Sequence, residues 1–83
     1  MYRLIIYPKA QKQLKEIKRI YKQAVKLAID EIKDDPLVGK SLSRGLTGKY
    51  TYKVSIYRII YKVNKQDKIV HILSAGHRAT IYD

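Results

Sequence analysis

Five residues in the second half of the chain have the types and spacing for work on a phosphate: Lys53, Arg58, His77, Arg78 and Tyr82. Lys53 lies in a stretch, Lys49 to Val54, in which Tyr50, Tyr52 and Val54 alternate with Thr51 and Lys53. Arg58 lies in a second alternation, Tyr57 to Val63, opposite in phase to Tyr57, Ile59, Tyr61 and Val63. A period of two sends successive side chains to opposite faces of a strand. A hairpin about Ser55-Ile56 therefore brings Lys53 and Arg58 to one face, away from the tyrosines, and neighbouring cations of this kind hold a phosphate. Ile60 falls on the same face, a sign that this face is partly covered. His77 and Arg78 follow Gly76 at the end of an apolar run, where side chains project from a rigid scaffold. Imidazole moves protons near neutral pH, and guanidinium neutralises charge building on a phosphorus under attack. Tyr82, four residues beyond Arg78, offers a ring on which a base can stack. His71, inside the apolar run, reads as a packing histidine.

Other chemistries lack their residues. There is no Gly-x-Ser-x-Gly elbow, no phosphate-cradling glycine loop, no His-Glu-x-x-His and no cysteine. Two histidines and seven acids, four of them crowded into residues 30–35, make a protein-built metal site or a paired-carboxylate mechanism improbable, so no metal and no cofactor is expected. No apolar run reaches the roughly 20 residues of a membrane span, and Met1 to Tyr7 is too short and β-like for an export signal, so a cytoplasmic protein without a membrane partner is expected. Eighteen Lys and Arg leave a net charge of +11, of the sign that attracts a phosphate backbone. Nucleic acid is the first partner this charge implies.

The elements that position these residues follow from periodicity. At 83 residues the chain is expected to be a single domain, 1–83. A fold of this size buries only about 60% of its unfolded surface, so a stabilising partner is plausible. Tyr2 to Tyr7 reads as a strand ended by Pro8, and its unbroken Leu4-Ile5-Ile6 suits a strand covered on both faces. From Ala10 the apolar residues recur at Leu14, Ile17, Tyr21, Ala24, Ala28 and Ile32, a helical stripe. Whether 9–33 is one helix or two is open from the pattern, since no Gly or Pro interrupts it; Ile20, Val25 and Leu27 hint at a change of face near Arg19 to Tyr21. Asp34-Asp35-Pro36 stops the helix, although acids there oppose its dipole. Residues 36–48 form a loop, with Leu42 or Leu46 tucked into the core. After the hairpin, Asn64 to Lys68 is a polar turn, and the β-branched run Ile69 to Ala75 is a strand of central position broken by Gly76. The order is β, one or two α, then three antiparallel strands, an α+β chain.

GKYTYKVSIYRIIYKVNKQDKIVHILSAGHRATIYD resembles the C-terminal half of the RelE/ParE toxin superfamily: a Gly, an alternating strand, Tyr-Arg-x-x-Tyr, an apolar strand ending in Gly, His-Arg and a closing Tyr. The upstream strand, lysine-rich helical region and Gly-Leu loop fit the same order, so the resemblance covers nearly the whole chain. It implies a β-α-α-β-β-β fold with two N-terminal helices on a twisted antiparallel sheet. It also implies the toxin of a type II toxin-antitoxin system, an endoribonuclease that cleaves mRNA at the ribosomal A site by attack of the ribose 2′-hydroxyl on the adjacent phosphate, without a metal. Under the resemblance Arg58 binds the scissile phosphate, Arg78 stabilises it in the transition state, and Lys53 acts as base or electrostatic clamp. Tyr82 stacks on or orients the attacked nucleotide, and His77 stands where some members carry an acid or base. Thr51 departs from the pattern, standing where some ribonuclease members have a second lysine. The implied partners are a cognate antitoxin, forming a hetero-oligomer, and mRNA with the ribosome. The alternative the family offers is a ParE-like inhibitor of DNA gyrase with the same fold and no nuclease activity.

Overall fold

Pro8 fixes where the first strand gives way to the first helix, because its ring presets a helical φ and its missing N–H is one a first turn does not use. The computed structural model describes residues 1–42 and 48–77. β1 spans Arg3–Ile6, α1 Pro8–Glu16 and α2 Arg19–Asp34, followed by a 3-10 turn at Pro36–Val38, β2 at Lys40–Ser41, β3 at Lys49–Val54, β4 at Tyr57–Asn64 and β5 at Ile69–His77. The strands form one sheet in the order β1-β5-β4-β3-β2. Two helices packed on one face of this sheet make the α+β architecture expected. The sheet is mixed, however, because β1 runs parallel to β5 while the other pairings are antiparallel. The helical pair carries the chain back across the sheet after β1, which is how parallel neighbours are joined.

The helical region is two helices, and the break has a tertiary cause. Ile17 and Lys18 take extended ψ values of 136° and 140° with neither Gly nor Pro present. Ile17 is buried, and the Lys18 N–H donates to the Tyr57 hydroxyl at 3.3 Å. After the break the apolar stripe restarts in a new phase: Val25, Ala28, Ile29 and Ile32 are buried, whereas Ala24 is exposed and Ile20 and Leu27 face outward. β1 is an edge strand rather than one covered on both faces; Leu4 and Ile6 pack on the core while Ile5 is 43% exposed. β5 has neighbours on both sides and continues through Gly76 to His77, and β4 is the middle strand. A bulge between β4 and β5 lets Ile59 and Tyr61 on one strand meet Ala75 and Ile72 on the other, so Leu73 has no register partner and the alternation of β5 is broken. Residues 36–41 are more ordered than a loop, Leu42 is half-buried, and Leu46 lies outside the described residues.

The acids at the end of α2 have local partners that offset the helix dipole. Asp35 accepts from the Leu37 N–H at 3.3 Å and caps the 3-10 turn, and both Glu31 carboxylate oxygens lie 2.9 Å from the Tyr52 hydroxyl. Tyr61, fully buried, anchors the same crossover: its hydroxyl donates to the Pro36 carbonyl at 2.7 Å and accepts from the Gly39 N–H at 3.0 Å.

Burial pushes the Tyr61 phenol up to about 12, against the Gly39 N–H, which pulls it down. The unfolded chain gives up this proton near its ordinary value of 10.0, while the folded chain keeps it to about 12. Between those values the native state binds more protons, so its stability falls as pH rises through that window and the contribution is complete below it. The Tyr52 phenol, raised by its bond to Glu31, adds in the same direction. Urea unfolding at about pH 9 and about pH 11 should show the loss, and Tyr61→Phe should flatten the difference between the two while lowering stability at the lower pH.

Candidate functional site

The sheet face turned away from the helices carries the site. β3 and β4 are joined by the two residues Ser55-Ile56, since Val54 pairs with Tyr57. Ser55 takes φ 56°, the left-handed value that the first position of a tight hairpin turn demands, and so short a connection leaves no room for the register to slip. The consequence is that Lys53 and Arg58 are direct cross-strand partners. Their Cβ atoms stand about 5 Å apart by strand geometry, and like charges so placed repel. An anion held between them removes that repulsion and gains charge-assisted hydrogen bonds.

Arg58 in turn faces Gly76 on β5. The glycine, read from sequence as a strand breaker, sits inside the strand opposite a half-buried Arg58. The signal for this was present, because glycine within a strand often marks a close approach by another group. The next row along this face, Thr51, Ile60 and Ser74, is buried at 7%, 4% and 6% exposure, as Ile60 foreshadowed. Thr51 keeps its hydroxyl there without a hydrogen-bond partner among the described residues. A floor of this kind lowers the local dielectric and strengthens the field of the two cations above it.

His77 is not brought onto this face. It pairs with Tyr57, whose side chain points to the helices, and the two rings meet edge to face with centroids 6.1 Å apart. A small cleft of about 270 Å³ there is lined by Gln13, Glu16, Ile17, Tyr57, Ala75, Gly76 and His77. Arg78 and Tyr82 lie outside the described residues. His71 is half-buried with its ring 5.8 Å from that of Tyr7, in keeping with a packing role.

The chain is a toxin of the type II toxin-antitoxin class, as its family and its relatives show. The model of the ParE toxin family of the parDE type II system matches residues 4–82, and the chain belongs to that family. Among its relatives, toxin RelG of Mycobacterium tuberculosis is 37% identical over 65 residues, covering 77% of this chain and 75% of RelG. The crystal structure of the isolated Escherichia coli RelE toxin superposes with a TM-score of 0.81 at 25% identity, over 93% of this chain and 84% of RelE. A chain of the toxin-antitoxin complex RelBE2 from Mycobacterium tuberculosis superposes with a TM-score of 0.77 at 30% identity, over 93% of this chain and 98% of that one. Among the described residues, no helix is long and apolar enough to cross a membrane.

Proposed function

We propose that this toxin is an endoribonuclease that cleaves mRNA at the ribosomal A site. The observation that carries the proposal is the Lys53–Arg58 cross-strand pair, opposite Gly76 and beside the buried row of Thr51, Ile60 and Ser74. In this reading the ribose 2′-oxygen attacks the adjacent phosphorus, the bond to the 5′-oxygen breaks, and the products are a 2′,3′-cyclic phosphate and a free 5′-hydroxyl. The 2′-hydroxyl proton passes to a base and a proton is delivered to the departing 5′-oxygen. Arg58 holds the non-bridging oxygens and meets their growing charge, which is where electrostatic catalysis acts. Lys53 acts as clamp or base beside it. Arg78 and Tyr82 are assigned to transition-state binding and base stacking on the family resemblance alone.

The placement of His77 against Tyr57 favours a supporting contribution over proton transfer at the Arg58 phosphate. His77→Asn should reduce cleavage less than tenfold and leave its pH profile in place, whereas loss of a general acid or base costs about 10²–10⁴. Rate measurement across about pH 5.5–8.5, the range in which imidazole titrates, checks this.

The family match and the relative within the RelBE2 complex support a partner antitoxin of the same kind. The apolar cleft of about 390 Å³ lined by Leu4, Ile6, Leu14, Ile17, Val25 and Ile29 is its proposed seat. A location in the cytoplasm follows from a ribosomal target. The test of function is induced expression, with growth followed and cellular mRNA mapped by primer extension. Growth arrest with new in-frame cleavages supports the nuclease. The ParE family match and Thr51 in place of a lysine favour a second reading, gyrase inhibition; arrest without cleavage, together with blocked supercoiling by purified gyrase, would establish it instead.

A further inference from the structure

A second row of basic side chains crosses the same face, turned away from the helices, at the other end of the sheet. Lys49 pairs with Lys62 across β3 and β4, and Lys62 pairs with His71 across β4 and β5. Cross-strand partners share a face, so the three stand side by side. Lys62 is exposed, Lys49 and His71 are half-buried, and the His71 ring is held by Tyr7, whose hydroxyl lies 3.5 Å from Nδ1. A hollow of about 690 Å³ opens here, lined among others by Tyr7, Lys62, Asn64, Lys65 and His71, with no carboxylate among its lining residues. Two lysines directly opposite one another repel, and nothing on their own strands compensates.

The two rows are four residues apart along β4, on the order of 13 Å at ~3.3 Å per residue. A single strand that stays stacked advances ~3.4 Å per nucleotide and covers that distance in about four nucleotides, and one drawn out along its backbone covers it in fewer. Between the rows lies the buried neutral row of Thr51, Ile60 and Ser74, so charge is concentrated at two separated positions. We propose that Lys62 and Lys65, flanked by Lys49 and His71, form a phosphate subsite that holds the single-stranded RNA backbone a few nucleotides from the phosphate at Arg58. This rests on the ribonuclease reading, since it extends the path of the same substrate. Its work is to bind and align the strand.

The test measures binding of two fluorescent single-stranded RNAs, blocked against cleavage by 2′-deoxy sugars: a dinucleotide, whose single phosphate cannot bridge the two rows, and a strand of about a dozen nucleotides that spans both rows. The variants are Lys62→Ala/Lys65→Ala, Arg58→Ala, and Lys9→Ala/Lys12→Ala on exposed positions of α1 as a control of equal charge. The Lys62/Lys65 variant should lose on the order of tenfold in affinity for the longer strand at ~0.1 M salt and lower its salt slope by roughly 1.4, at ~0.7 per phosphate contact. It should bind the dinucleotide as wild type does, while Arg58→Ala weakens both and the α1 control loses far less. Unchanged binding of the longer strand, or a loss no larger than that of the α1 control, overturns the subsite and leaves the ribonuclease reading standing. Unchanged RNA binding with weakened binding of an acidic antitoxin peptide overturns it in favour of a protein surface. Wild type that binds neither strand overturns the subsite, while the ribonuclease reading is decided separately by primer extension on cellular mRNA.

Discussion

Arg58→Ala should abolish growth arrest and lower mRNA cleavage about 10²–10³-fold, the loss typical when one preorganised donor to a developing oxyanion is removed. The size of the effect follows from position. The two-residue turn fixes Arg58 opposite Lys53, Gly76 faces it from β5, and the row beside it is buried. A guanidinium so held spends little entropy in engaging phosphate, and its planar fork meets two oxygens at once. Arg58→Lys keeps the charge without the fork and should recover only part of the rate. Cleavage is measured by primer extension on induced transcripts, with circular dichroism of each purified variant to confirm the fold. Wild-type cleavage by folded Arg58→Ala would show that the phosphate is held elsewhere and would sink the proposed mechanism.

Gly39→Ala should lower stability by about 2–4 kcal/mol, combining overpacking with a broken hydrogen bond. Gly39 lies in the crossover between the 3-10 turn and β2, and a Cβ there would collide with the Tyr61 hydroxyl and come within 2.8 Å of the Thr51 carbonyl oxygen. The neighbour is the backbone of β3, which cannot move without disturbing its pairing with β4. The Gly39 N–H and Pro36 carbonyl that Tyr61 satisfies would part with their partner at the same time. At about 4–8 °C per kcal/mol for a domain of this size, thermal unfolding should fall by roughly 10–25 °C. Tyr61→Phe makes room without restoring the bonds and should cost less, about 1–3 kcal/mol. If Gly39→Ala melts with wild type, the crossover is not locked by this contact.

Element order and the pairing of Lys53 with Arg58 were readable along the chain because each depends on local rules. Period-two alternation set the faces of β3 and β4, and the two-residue connection set their register, so the Lys53–Arg58 juxtaposition needed no distant information. Pro8 and Pro36 marked element ends for the same reason. The remainder was decided by partners far away in sequence. The split between α1 and α2 carries no glycine or proline; it depends on burial of Ile17 and on the hydroxyl of Tyr57, 39 residues beyond Lys18. The apolar run of β1 looks the same in an edge or an interior strand, and only its parallel pairing with β5 decides that Ile5 meets water. His77 and Arg58 look close in a list of basic residues. The antiparallel register instead places His77 opposite Tyr57, on the helix side of the sheet, because a strand turns each successive side chain to the other face.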